Sequence, residues 1–270
     1  MSNYTVFGGR GFVGTEFVKQ LNDANHTVFV PKRDDDSIFE RDLGTIIYSA
    51  GYGDCKKDPY NVLDANVNLL RELLDKAKFS KLIYISSTRV YMNQTDTFED
   101  SHNIVCNNDS RRLFNLTKLV GEELCFKSNR NCTIIRPSNI YGLALNSPLF
   151  LPSIVRDSIK TGVVNMYVPR HYEKDYVSVE NVVSTTIKLA CMETLDKEVI
   201  NIASGINVSA EEIANVLINN TDCKVIWHAT DCNEQFEPID VDKVKSILDY
   251  TPCNVLADLE GMINRFKKEI

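Results

Sequence analysis

The chain has 270 residues, 43% of them hydrophobic and 25% charged, an ordinary composition for a soluble globular protein with one large core or a nucleotide domain plus a small annex. With a net charge of −7 and no Lys/Arg run long enough to track a phosphate backbone, nucleic acid is excluded as a partner. The apolar runs are short and interrupted, so no membrane span is predicted, and no signal-peptide pattern precedes the first strand, which makes the cytoplasm the expected compartment.

Thr5-Val6-Phe7 reads as a first strand ending in Gly8. A helix follows, with Gly14, Phe17, Val18 and Leu21 on one stripe, and then a second strand, His26 to Val30. Gly8, Gly11 and Gly14 fall in the strand-to-helix turn. There, glycines allow a tight bend, close approach of backbone to a pyrophosphate, and close helix–strand packing. The helix N-terminus adds unpaired N–H groups and partial positive charge. Lys32 and Arg33 follow strand two, with three aspartates directly after. The stretch 34–44 is short before the buried strand Thr45 to Ser49, and Asp42 and Leu43 are the candidates to border an adenine.

Pro59 to Lys78 reads as one long helix with proline in its first turn. Lys81 to Ile85 is a strand opening into Ser86-Ser87-Thr88-Arg89-Val90-Tyr91. A helix over 111–128 carries Leu113, Leu116, Val120 and Leu124 as the expected core-facing stripe. Phe114, Lys118 and Glu122 are four apart and share another face, which brings Lys118 close to whatever residue 114 presents. Cys132 to Gly142, Lys174 to Val179 and Ile200 to Gly205 are further strand ends. The eight cysteines lack a C-x-x-C pair and read as reduced thiols; the four histidines show no ligand spacing, and no metal site is predicted.

Gly8-x-x-Gly11-x-x-Gly14, Ser86-Ser87-x-x-Val90-Tyr91, x-x-x-x-Lys118 and Arg136-Pro137-x-Asn139-x-Tyr141-Gly142 together resemble the extended short-chain dehydrogenase/reductases, the branch of NAD(P)-dependent nucleotide-sugar epimerases, dehydratases and reductases. The resemblance covers essentially the whole chain. It implies an α/β fold, a Rossmann-type doubly wound parallel sheet with a small C-terminal substrate-binding cap. Residues 1–142 and 172–205 would form the NAD(P)-binding domain, and 143–171 and 206–270 the cap. It implies cofactor contacts from Gly8, Arg10, Gly11, Phe12, Val13, Gly14, Lys32, Arg33, Ala50, Gly51, Asn66, Ser86, Lys118 and Pro137. Substrate contacts would come from Ser87, Thr88, Arg89, Asn139 and His171. Lys32, Arg33 and Arg10 favour NADP, with NAD the alternative if an aspartate folds back. A homodimer through the helices at 59–78 and 111–128 and a nucleotide-sugar substrate are also implied.

In that family a tyrosine phenol moves a proton while hydride passes between nicotinamide and a sugar carbon. Ser87 would bond the reacting oxygen, and Lys118 would lower the phenol's pKa. Here position 114 is phenylalanine, which has the ring and no proton, so the substitution reads as inactivating. Three accounts stand: an introduced knock-out; a natural loss of catalysis that leaves an NADP(H)-binding sensor or scaffold; or proton transfer by another group, such as Tyr91, Tyr141 or a water. Thr88-Arg89 sits where the family's dehydratases carry an acidic pair and certain reductases a cysteine. That leaves 4-epimerisation or reduction of a keto sugar. Arg89 itself either grips a ligand anion or pairs in a surface salt bridge.

Overall fold

The structure is a computed structural model and describes residues 1–147, 149–229 and 231–269. In chain order it contains β1 (Asn3–Phe7), α1 (Phe12–Asp23), β2 (Thr27–Phe29), β3 (Thr45–Tyr48), α2 (Pro59–Leu63), α3 (Leu69–Lys76), β4 (Lys81–Ile85), α4 (Arg112–Lys127), β5 (Cys132–Pro137) and β6 (Asn139–Tyr141). Then come α5 (Phe150–Lys160), β7 (Val163–Met166), β8 (Glu173–Ser178), α6 (Val179–Ala190), β9 (Glu198–Ile202), β10 (Asn207–Ser209), α7 (Ala210–Thr221), β11 (Lys224–Trp227), α8 (Asp242–Ile247) and α9 (Val255–Glu269).

Two compact units divide the chain. The first takes 1–90, 99–137 and 183–202; the second takes 91–98, 138–182 and 203–270. Of the segment 172–205, the stretch 183–202 belongs to the first unit and the remainder to the second.

The first unit is built on a six-stranded sheet, parallel throughout, in the order β2-β1-β3-β4-β5-β9. Parallel strands covered on both faces read as continuous apolar runs, and Leu82-Ile83-Tyr84 and Ile46-Ile47-Tyr48 are buried without alternation. The order reverses beside β1, and a sheet of this kind opens a crevice at the carboxyl ends of its strands. Phe7, Tyr48 and Tyr84 stack across three neighbouring strands just below that edge.

Two expectations need correction. The helix expected over 59–78 is α2 and α3 joined by a π-turn at Asp64–Asn68. On α4 the expected apolar stripe is not the buried face: Leu116 and Val120 are 39% and 45% exposed, while Asn115, Thr117, Lys118, Gly121, Glu122 and Cys125 are buried. Apolar periodicity finds the face of a helix that avoids water. On α4 the inward face is polar because polar partners wait for it.

The second unit has a three-stranded sheet, β10-β8-β6, and a two-stranded parallel pair, β11-β7. Its core gathers Ile154, Val164, Ile213, Leu217, Ile263 and Phe266. Asp175 on β8 ties its loops together. The carboxylate accepts from Ser138 Oγ at 2.6 Å and from the N–H groups of Ser204, Gly205 and Ile206 at 2.9, 2.7 and 3.2 Å. α7 begins with a capping box, in which Ser209 and Glu212 satisfy each other's backbone N–H.

Candidate functional site

The glycine turn is the floor of the site. Gly8 sits at φ +78°, and a Cβ on Gly14 would come within 2.7 Å of Gly9 Cα, so α1 can start this close to β1 only without side chains. Gly11 occupies the N-cap of α1 and offers no side chain, which leaves the first N–H groups of the helix for an anion. A cavity of about 590 Å³ lies over this turn, walled by Gly8, Gly9, Arg10 and Gly11, by Lys32 and Arg33, and by Ala50 and Gly51. The turn, helix terminus and cavity fit a dinucleotide.

Arg10 donates to the carbonyls of Pro31 and Val30 at 2.8 and 3.3 Å, which fixes its guanidinium at the end of β2. Arg33 donates to Asn61 Oδ1 at 3.1 Å. Lys32, exposed, completes a basic wall. Asp34 and Glu72 line the same cavity with the opposite charge.

Further lining residues escaped the sequence reading, among them Ile38, Tyr52, Asn61, Asp64, Ala65, Asn68, Leu69 and Glu72. The spacing 61, 65, 68, 72 was a legible signal, because those positions share one helical face. Asp42 and Leu43 do not border the cavity. Leu43 is buried in the core at 1% exposure. Asp42 accepts from Gly44 N and pairs with Lys78 at 3.5 Å. The 3-10 turn Asp36–Phe39, which crosses the shortened link, supplies Ile38 instead.

Behind Gly51 lies the end of β4. Lys118 projects from α4 and donates to Ile85 O at 2.8 Å, two residues before Ser87. Its Nζ lies 5.1 Å from the Tyr84 ring centroid and 5.7 Å from that of Phe114. Burial pushes its pKa down to about 8, against the opposing pull of Glu122. A Cβ on Gly51 would stand 3.0 Å from Lys118 Nζ and 3.3 Å from Asn66 Oδ1, so the loop closes on these groups because it is glycine. Asn66, fully buried in the π-turn, accepts from Tyr52 N and donates to Tyr52 O and Thr117 Oγ1. The amide thereby pins the Gly51-Tyr52 loop to α4. A second cation, Arg111, also lies near Phe114, with its guanidinium carbon 4.5 Å from the ring centroid.

Ser86 does not line the cavity; its hydroxyl donates to Glu122 Oε1. Ser87 is half-buried, and its Oγ accepts from Arg89 N at 3.1 Å. Thr88 is buried. Arg89 makes a salt bridge with Asp109 Oδ1 at 2.8 Å, and the pair is buried rather than on the surface, with side chains 8% and 0% exposed. Asp109 also accepts from Arg111 N and Asn115 Nδ2. Phe12 and Val13 begin α1, and Pro137 ends β5, buried. Asn139 and His171 belong to the second unit, where Asn139 donates to Asp175 O and His171 is exposed.

A parallel sheet with a glycine-walled crevice at its carboxyl edge makes this an α/β protein of the Rossmann type. The chain belongs to the NAD dependent epimerase/dehydratase family, whose sequence profile matches residues 4–203. Among solved structures it is similar to a tyrosine-to-phenylalanine mutant of the UDP-glucuronic acid 4-epimerase from Bacillus cereus, in complex with UDP-4-deoxy-4-fluoro-glucuronic acid and NAD. Identity is 18% at a TM-score of 0.86, over 99% of this chain and 100% of that one. It is also similar to RMD from Pseudomonas aeruginosa complexed with NADPH, at 18% identity and a TM-score of 0.80, over 99% and 100% of the two chains. Among curated proteins, subunit 9 of the mitochondrial NADH dehydrogenase (ubiquinone) 1 alpha subcomplex from Dictyostelium discoideum is 26% identical over 167 residues. That match spans 51% of this chain and 42% of the relative.

Proposed function

We propose that this protein binds a nicotinamide dinucleotide along the first β–α turn and serves oxidoreduction at a sugar carbon of a nucleotide sugar, as a 4-epimerase or a keto-sugar reductase. The observation that carries this reading is the pairing of the glycine cavity with a buried lysine at the end of β4. The cofactor supplies the hydride acceptor or donor. Gly8 to Gly14 and the α1 terminus would hold its pyrophosphate, while Lys118, with Asn66 behind the Gly51 loop, would hold the nicotinamide end. Ser87 would bond the reacting oxygen. Thr88, Arg89, Asn139 and His171 are assigned to the substrate side, with residues 143–171 and 206–270 as its cap.

Arg10, Lys32 and Arg33 on one wall support NADP, since a 2′-phosphate adds charge where these cations gather. Asp34 on the same wall supports the alternative, NAD. The exposed apolar side chains of Tyr60, Leu63, Leu116 and Val120 on α2 and α4 support a homodimer through those helices. We assign the protein to the cytoplasm.

Phe114 closes the phenol route for the proton and inactivates that route. A second reading follows from it: a non-catalytic NADP(H)-binding sensor or scaffold. The curated relative that is named as a subunit of a larger enzyme favours this reading.

The test is the set of small molecules released when purified protein is denatured, followed by turnover assays on UDP- and dTDP-sugars. Released NADP(H) or NAD(H), with Phe114→Tyr raising turnover by about 100-fold or more, supports the enzyme. Bound dinucleotide with no turnover in either form supports the scaffold. No dinucleotide at all overturns both.

A further inference from the structure

We propose, on the dinucleotide reading above, that Asn61 selects the cofactor: it holds Arg33 over the cavity as a receptor for the 2′-phosphate that NADP has and NAD lacks. Both side chains line the same cavity over the glycine turn. Arg33 follows β2, and Asn61 stands on α2, beyond β3; in the sheet β1 lies between those two strands. Their contact, from Arg33 Nη2 to Asn61 Oδ1 at 3.1 Å, therefore spans the crevice above β1. A residue just past the second strand of such a fold is the one that meets the adenosine ribose.

The hold is built from α2 upward. Asp58 caps that helix, and its carboxylate accepts from Asn61 N at 3.1 Å, while Pro59 opens the first turn. The backbone of Asn61 is thereby set, and its half-buried side chain presents an amide oxygen to the arginine.

That acceptor is neutral. A carboxylate in its place would pin Arg33 as firmly and cancel its charge. The amide oxygen engages one of five guanidinium N–H donors and leaves the others, with the full charge, for an anion. Arg10 follows the same rule, held by the carbonyls of Pro31 and Val30. The carboxylates of the opposite wall are turned to their own helix. Asp64 accepts from Asn68 Nδ2 at 2.6 Å, and Glu72 lies 3.3 Å from Arg71 and 3.9 Å from Lys76. On the wall past β2, Arg10, Lys32 and Arg33 outnumber Asp34. A phosphomonoester dianion matches that surplus through a planar fork, and a ribose hydroxyl gains little from it.

The experiment measures dissociation constants for NADP⁺ and NAD⁺ by calorimetry. It uses wild type, Asn61→Leu, Asn61→Asp, Arg33→Ala and the double variant Arg33→Ala/Asn61→Leu. Wild type should bind NADP⁺ more tightly. Asn61→Leu releases the guanidinium and should weaken NADP⁺ by about fivefold or more, with NAD⁺ within about threefold of wild type. Asn61→Asp keeps the contact but supplies a carboxylate, and should weaken NADP⁺ by about tenfold or more with NAD⁺ again within about threefold. In the Arg33→Ala background Asn61→Leu should add nothing to the loss of NADP⁺ affinity, because Asn61 acts through the arginine. A merely structural role would lower both dinucleotides together. The isosteric aspartate carries the test if the leucine variant does not fold.

Equal changes in both dinucleotides, no change in either, or a further loss in the Arg33→Ala background would overturn the role of Asn61 and leave the dinucleotide reading standing. Tighter binding of NAD⁺ than of NADP⁺ by wild type would overturn that role and the preference for NADP together, and would give the wall to Asp34. Absence of both dinucleotides from wild type overturns the dinucleotide reading itself.

Discussion

Arg136 meets Glu122 fork to fork inside the first unit, with Nε 3.0 Å from Oε1 and Nη2 2.6 Å from Oε2. Both side chains are 3% exposed, so each is the other's solvent. Removing one partner leaves a buried charge uncompensated, which costs about 3–5 kcal/mol. Arg136→Met should therefore unfold in urea with a stability lower by that amount. The double change Arg136→Met/Glu122→Gln should recover most of it. A single variant as stable as wild type would show that water reaches the pair.

Lys118 makes the opposite prediction. Its ammonium is disfavoured in the fold, with a value of about 8 against 10.5 for a free lysine. Below pH 8 both folded and unfolded chains carry the charge, and the burial penalty stands in full. Between about 8 and 10.5 the folded chain has already lost the proton that the unfolded chain still binds, so stability rises with pH. Above that range the penalty is gone. The gap corresponds to about 3 kcal/mol. At pH 7 Lys118→Met should thus be more stable than wild type by up to about 3 kcal/mol, and the advantage should disappear near pH 11. Parallel urea curves at the two pH values provide the check.

Gly14→Ala tests the floor of the cavity. The new methyl would meet the Gly8 carbonyl and Gly9 Cα, both backbone and neither able to rotate away. The turn must then open, and dinucleotide affinity should fall by about tenfold or more, with stability lowered by about 1–3 kcal/mol. Fluorescence titration with NADPH and NADH reads the first effect, and urea unfolding the second.

Asp175→Asn probes the second unit. Three backbone N–H groups and Ser138 converge on its carboxylate, and they oppose a burial that pushes its pKa up. An amide in its place turns an NH₂ toward one set of donors. The expected cost is about 2–4 kcal/mol, with faster hydrogen exchange at the amides of Gly205 and Ile206. Unchanged exchange at those two amides would mean the loop holds itself.

The sheet and the glycine turn were legible because their signals are local. Thr5 to Phe7 and Lys81 to Ile85 are short apolar runs that can only be buried strands here, and glycines at 8, 11 and 14 mark one tight turn. Lys118 facing residue 114 followed from helical spacing alone. What escaped depends on contacts between distant segments. On α4 the inward face carries Lys118 and Glu122, and their partners Ile85 and Arg136 come from two strands of the sheet. No window of sequence holds that information, so the apolar stripe of Leu116 and Val120 pointed the wrong way. The adenine end was missed for a related reason. The shortened link 34–44 was visible, but whether Ile38 or Leu43 turns outward depends on a single 3-10 turn.

The segment from Asn61 to Glu72 works as a partition whose two faces have separate duties. At about 100° per residue, positions 61, 65, 68 and 72 return to one side, and all four line the crevice. Asn66 falls near the opposite side and is fully buried. One stretch of chain thus grips the Tyr52 loop from behind while facing the crevice in front.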